Sequence, residues 1–320
     1  MNNKIFITGA CGMMGSHLID YYDSRGIKVY GTFYKPTTNL KEYAHKAILK
    51  ECDVRYFAHL YRVIAELKPA TIYHLAAQSY PTVSIGRPQE TMETNVTGTI
   101  NVFEAVKEIK LQDPDYDPMV VVACSSAEYG SSLTPENVPI KEDVMLLPVH
   151  PYGVSKVVQD LLGYQYFLND NIRTIRARIF NTTGPRKVND VASDFTRRAV
   201  LIERGKESTL KVGNTSTKRA ITDVRDLILA LISLSEKGRA GEVYNISGSK
   251  VYLVADIIEI IEKIIGKKFK IEIDKSLLRP TDEPIIYGDS TRLTKDTGWT
   301  QKYPIEQTLT DMIAYWRSIL

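Results

Sequence analysis

The chain has 320 residues, 43% hydrophobic and 25% charged, a globular mix that excludes disordered and fibrous classes and can build one large or two intimately joined domains. Its 41 basic and 38 acidic residues nearly cancel, to +3, with no long like-charge run, so no nucleic-acid partner is expected. No apolar stretch reaches the roughly 18 residues of a membrane span and the chain opens directly on KIFITG, so the expectation is a soluble cytoplasmic protein without a membrane partner.

Short apolar runs alternate with segments of helical period over the first 180 residues. In chain order they read as strand KIFIT, helix MMGSHLIDYYDSRG, strands KVYGTF and AILKECDV, helix YFAHLYRVIAELK, and strand TIYHLAA. Helix TMETNVTGTINVFEAVKEIK, strand MVVVACS, helix YGVSKVVQDLLGYQYFLND and strand IRTIRARIF come next. The alternation predicts an α/β fold, a Rossmann-type parallel sheet with helices on both faces. Beyond Phe180 the pattern loosens into NTTGPRKVNDVASDF, a helix to Gly205, and STLKVGNTSTKRAITDVRDLILALISLSEKG. A strand EVYNIS, an amphipathic helix LVADIIEIIEKIIG and a mixed tail complete it. No repeat or flexible linker interrupts the chain, so a smaller C-terminal substrate-binding domain should be interleaved with the first. The expected division is 1–180 with 222–247 for a dinucleotide, and 181–221 with 248–320 for substrate.

ITGACGMMGSHL sets Gly9, Gly12 and Gly15 at intervals of three, after the first strand and at the start of the first helix. Glycines let the backbone turn tightly and let a pyrophosphate approach, while the helix start offers free N–H groups and partial positive charge. Met13 and Met14 fall inside this cradle. The second strand ends VYGTFYK, without the acidic residue that would bond a ribose 2′-hydroxyl, and Lys35 is placed to face a 2′-phosphate. NADP(H) is therefore favoured, with NAD(H) an alternative, since a lone lysine is ordinarily just solvated. Asp53 closes the third strand, where it serves as an acceptor for an adenine amino group or as a turn former, with Val54 beside it. Leu75, Ala76 and Ala77 come after the fourth strand and supply small backbone surface next to a dinucleotide.

HPYGVSK separates Tyr152 and Lys156 by four, so both project from one helix face, with β-carbons about 5–6 Å apart. A phenol titrates near 10, and acid/base work near neutrality asks for a shift of about 3, or about 4 kcal/mol. A neighbouring ammonium supplies part of it. Ser125 or Ser126, where the fifth strand ends in CSSAEYG, can bond the same substrate oxygen. His150 and Cys124 adjoin these positions and read as structural neighbours. The three cysteines, Cys11, Cys52 and Cys124, lack CxxC spacing, so neither a metal site nor a disulfide framework is expected, and a reducing compartment is.

These residues resemble the extended short-chain dehydrogenase/reductases that modify nucleotide sugars: TGxxGxxG from Thr8 to Gly15, HLAA at His74, the strand-end serine, YxxxK, and Asn181 after the sixth strand. RIFNTTGPR, LKVGN with Arg219 shortly after, TDVRD, LRPTDEP and GDSTRL look most like the family's GDP-sugar dehydratases and 4-keto reductases. The resemblance implies catalysis by Ser125, Tyr152 and Lys156. It also implies substrate contacts from Ser125, Ser126 and Asn181, diphosphate contacts from Arg219 and Arg279, and a ribose contact from Glu283. Arginine forks suit a diphosphate. It further implies a homodimer through a four-helix bundle of the helix beginning at Thr91 and the Tyr152 helix, whose Val157, Val158, Leu161 and Leu162 run almost around it.

Members differ in the chemistry that accompanies hydride transfer. A 4,6-dehydratase needs a further acid/base carboxylate, and the family's dehydratases resemble S-T-(S/D)-E-x-Y-G, with glutamate two places before tyrosine. Here that place is Ala127. Glu128 is one further along, and in extended chain it points to the opposite face. The expectation is reduction of the 4-keto group of a GDP-4-keto-6-deoxyhexose. The alternatives are a nucleotide-sugar 4-epimerase, a dehydratase with a displaced carboxylate at Glu128, and a non-catalytic dinucleotide sensor.

Overall fold

The computed structural model describes residues 4–278 and 283–320. Seven parallel strands form the central sheet: β1 (Ile5–Thr8), β2 (Val29–Phe33), β3 (Ala47–Glu51), β4 (Thr71–His74), β5 (Met119–Ser125), β6 (Thr174–Ile179) and β7 (Val243–Ile246). Their spatial order is β7-β6-β5-β4-β1-β2-β3. The order reverses between β1 and β4, and in such sheets a ligand crevice opens at the carboxyl ends of the strands beside that reversal. The strands are shorter than their apolar runs. Ala47–Glu51 stops before the expected Val54, and Thr71–His74 stops before Ala77, because the chain there bends into the crevice loops.

Alternation along each strand sorts side chains between two cores. Ile5 and Ile7 of β1, with Val121 and Ala123 of β5, face α1 (Met13–Asp23) and a later helix, Val224–Lys237. Phe6, Val120, Val122 and Cys124 face the other way, against α2 (Phe57–Leu67), α3 (Gly98–Gln112) and α4 (Pro151–Asp170). Each such Val, Ile or Phe contributes about 1.5–3 kcal/mol by leaving water, which makes the pattern binding on the chain.

The helix expected over TMETNVTGTINVFEAVKEIK is interrupted. A short helix Pro88–Met92 passes into a π-helical turn, Glu93–Thr97, before α3 begins. The turn carries Asn95, fully buried, whose amide nitrogen donates to the carbonyl of Gln78 at 3.0 Å and to Ser155 Oγ at 2.8 Å. One side chain thereby ties the loop after β4 to the first turns of α4.

A separate core joins α5 (Val191–Glu203), Leu210, Val212 and Ile221 to α7 (Val254–Ile265) and α9 (Ile305–Ile319), with α6 (Val224–Lys237) returning to the sheet between them. The helix Thr291–Thr297, α8, sends Leu293 back into the sheet's own core, where Trp299 joins it. Among the described residues no helix is long and apolar enough to cross a membrane.

Candidate active site

A cavity of about 540 Å³ runs along the carboxyl ends of the strands, within the usual range for small-molecule sites. At one end the glycine cradle lines it. Gly9 has φ +68°, and a β-carbon there would sit 2.7 Å from Ala76 N, so only glycine permits this approach of loop to loop. At Gly15 a β-carbon would meet Ala10 at 2.6 Å, which fixes the close contact of the helix with the turn that follows β1. A β-carbon at Gly12 would meet nothing nearer than 3.4 Å, and this residue opens onto the cavity at the N-terminus of α1. Free N–H groups beside open space suit a pyrophosphate, so the residues present fit a dinucleotide.

Met13, Met14, Asp53, Val54, Leu75, Ala76 and Ala77 also line the cavity, as expected of cofactor contacts. Asp53 is less free than its sequence position implied. Arg55 grips it with Nε at 3.0 Å from both carboxylate oxygens and a terminal nitrogen at 2.6 Å, and this guanidinium lowers the Asp53 carboxyl despite burial. Lys35 lines the rim in a left-handed backbone conformation, φ 52°, of the kind that clusters at functional sites. Its ammonium lies 5.1 Å from the Tyr34 ring centroid, and Arg55 approaches the same ring at 5.8 Å. Two cations therefore flank this corner.

At the other end β5 and α4 bring the catalytic candidates together. Ser125, the last residue of β5, accepts the N–H of Ala127 on its Oγ at 3.2 Å. Tyr152 lies in the first turn of α4 and lines the cavity together with Ser125. Burial pushes Tyr152 up to about 12, opposed by the Ser125 side chain. The lowering expected from Lys156 does not govern it: the ammonium is 5.7 Å from the Tyr152 ring centroid and donates instead to the Ala123 carbonyl at 2.7 Å. Burial also pushes Lys156 down, to about 8. His150 caps α4, its Nδ1 accepting from Gly153 N–H at 3.0 Å, which leaves the ring proton on Nε2, and it stacks on Tyr152 at 5.9 Å.

Ser126 and Ala127 face the cavity; Glu128 does not. The chain is not extended at this point, since Ser126–Glu128 forms a 3-10 turn. That turn, rather than strand alternation, folds Glu128 underneath, where it is fully buried and its Oε1 accepts the Ser125 N–H at 2.8 Å. Further along, Asn181 lines the cavity with a buried Oδ1 that has no hydrogen-bond partner among the described residues. Glu283 lines it as well, and its carbonyl accepts from Arg219 at 2.9 Å. Arg219 itself, on the short strand Lys218–Ala220, stays behind that rim and bonds the Lys218 carbonyl too. Arg279 lies outside the described residues. The cavity also takes in Gln78, Tyr80 and Thr94, which no motif marked.

Fold and cleft together define an NAD(P)-dependent enzyme of the extended short-chain dehydrogenase/reductase class. The model of the GDP-mannose 4,6 dehydratase family matches residues 6–312, and the chain belongs to that family. It is 28% identical to a GDP-6-deoxy-D-mannose reductase of Pseudomonas aeruginosa, over 99% of this chain and 98% of that protein. A GDP-mannose 4,6-dehydratase of Vibrio cholerae is 24% identical, covering 98% and 94%. Among solved structures, RMD from Pseudomonas aeruginosa complexed with NADPH superposes with a TM-score of 0.84 at 25% identity, over 99% of this chain and 100% of that one. A UDP-glucose 4-epimerase from Thermotoga maritima, solved with UDP-glucose, shares the fold with a TM-score of 0.89 at 22% identity, covering 98% and 99%.

Proposed function

We propose that this chain reduces the 4-keto group of a GDP-4-keto-6-deoxyhexose with NADPH. The observation that carries the reading is the turn after β5: it turns Ser126 and Ala127, neither of them acidic, to the cavity, and Glu128 is held beneath it. A dehydratase needs a carboxylate there to move the C5 proton; a reductase needs only a proton donor. Tyr152, with its proton held by burial well above neutral pH, is a phenol poised to protonate an alkoxide forming at C4. The Ser125 hydroxyl supports the same oxygen. Lys156 is turned toward the cavity end of β5, where it can meet the cofactor's nicotinamide ribose. The dinucleotide, when bound, supplies the hydride. The partnerless Oδ1 of Asn181 offers an acceptor to a sugar or ribose hydroxyl.

The division of labour we infer gives residues 1–180 and 222–247 to the dinucleotide, and 181–221 and 248–320, with their own core, to the nucleotide sugar. Lys35 and Arg55 favour the 2′-phosphate of NADPH over NADH. Exposed Leu161, Tyr164 and Leu168 on α4 support a homodimer, and the three unpaired thiols suit a reducing cytoplasm. The test is a panel of nucleotide 4-keto-6-deoxy sugars on GDP, dTDP and UDP, read by NADPH absorbance and product stereochemistry. Consumption of NADPH with the GDP compound, lost about 10²- to 10⁴-fold in Tyr152→Phe, is the expected result. Formation of a 4-keto product from GDP-mannose, or interconversion of 4-epimers without cofactor consumption, would replace reduction by dehydration or epimerisation.

A further inference from the structure

Beneath Ser125 lie two carboxylates and two guanidiniums in the protein interior: Glu128 and Asp160 are fully buried, and Arg176 and Arg178 are nearly so. Glu128 is the only one of the four that reaches the catalytic turn. One of its oxygens accepts the Ser125 N–H at 2.8 Å, and the other lies 3.2 Å from Arg178 Nε. The same Nε donates to Asp160 at 2.8 Å, and Arg176 closes the far side of Asp160 at 2.6 Å. A terminal nitrogen of Arg178 donates to Tyr129 Oη at 2.9 Å, and Tyr129 donates to Asn245 on β7 at 2.8 Å. Through these bonds the turn is fastened to β6, α4 and β7 at once.

Taking a carboxylate fully out of water costs several kcal/mol; burial, with Asp160 beside it, pushes the Glu128 carboxyl well up against the pull of Arg178, so the side chain is kept in place by its set of contacts. Here the set ends on one backbone N–H, that of the serine. With Glu128 holding the N–H and Ala127 N–H occupying a lone pair on Oγ, the serine's backbone and hydroxyl are both fixed, and its proton is left for Tyr152 or the substrate oxygen. Displacement of a reacting group by about 1 Å is enough to cost up to 10²-fold in rate.

We propose that Glu128 is a positioning residue: it clamps the Ser125 backbone from below and sets the aim of the serine hydroxyl, without touching substrate. This inference rests on the reading of Ser125 and Tyr152 as the reductase pair. It also assigns Glu128 a role opposed to that of a displaced dehydratase carboxylate, which would need to exchange protons with the sugar.

Two near-isosteric variants separate the roles. Glu128→Gln keeps a carbonyl oxygen for the Ser125 N–H and puts an amide nitrogen beside Arg178 and Asp160; Glu128→Met keeps the volume and loses the acceptor. The expected results are kcat within about 3-fold of the parent for Glu128→Gln, and a fall of about 10- to 100-fold for Glu128→Met with KM nearly unchanged. In a Ser125→Ala background the Met change should cost less than about 3-fold, because the serine it acts through is gone. Hydrogen exchange at the Ser125 amide, which needs no substrate, should be slow in the parent and in Glu128→Gln and fast in Glu128→Met. Loss of more than about 30-fold in Glu128→Gln overturns the proposal even if Glu128→Met does not fold. An equal loss from Glu128→Met with and without Ser125, or an amide that stays protected in it, overturns it as well. If the parent consumes no NADPH with any 4-keto sugar, the reductase reading fails, and the exchange measurement still decides whether Glu128 holds the serine.

Discussion

Lys156→Met should make the protein more stable while removing its turnover. The residue is 3% exposed, pairs with no carboxylate among the described residues, and donates to the Ala123 carbonyl. Burial lowers it from 10.5 to about 8, which corresponds to about 3 kcal/mol of unfavourable free energy at pH 7, where both the folded and the unfolded chain carry the proton. Methionine fills nearly the same volume without the charge, but leaves the carbonyl unpaired at a cost of about 1 kcal/mol. The net expectation is a gain of about 2 kcal/mol at pH 7, measured by equilibrium denaturant unfolding without added cofactor. The pH dependence fixes the cause. Because the folded value lies below the unfolded one, the unfolded chain holds more protons between about 8 and 10.5, so the parent gains stability as pH rises through that window. The advantage of Lys156→Met should therefore shrink from pH 8 and reverse by about pH 10.5, where only the lost hydrogen bond remains. A variant less stable than the parent at pH 7, or a difference that does not change between pH 8 and pH 10, would refute the argument from burial.

Lys35→Glu should reverse the cofactor preference: placed beside a 2′-phosphate, the new carboxylate weakens NADPH by about 10- to 100-fold and leaves NADH nearly unaffected in fluorescence titration. If the parent already binds NADH more tightly, the role given to Lys35 and Arg55 fails. The exposed apolar face of α4 predicts a light-scattering mass twice the chain's 36.1 kDa, lowered by Leu161→Glu, and a parent that runs at one chain's mass would refute the dimer.

How much of the fold and site was legible in the sequence depends on how local the physics is. The spacing of Tyr152 and Lys156 is a property of one helix, and the glycine cradle a property of one turn, so both could be read without a structure. The parallel sheet was implied by the order of apolar runs, because strands joined through helices have few other ways to cover two faces. Glu128 shows where that reasoning stops. Extended alternation also turned it away from the site, but the actual cause is a 3-10 turn, and the guanidinium that lies against it there, Arg178, is distant in sequence on β6. Asp53 is a similar case, since its neighbour Arg55 was visible but the two-pronged grip on it was not. Asn95 gave no signal beyond an ordinary polar residue in a helical segment, yet it sits in the π-helical turn and joins two loops. Lys156 is the sharpest instance. Its spacing from Tyr152 correctly put them on one face, but spacing carries no information about the carbonyl at the end of the adjacent strand, and Ala123 takes the ammonium that the phenol was expected to feel. With that interaction spent on the backbone, burial pushes the Tyr152 phenol up to about 12 and Ser125 opposes the rise, so the side chain holds its proton at neutral pH.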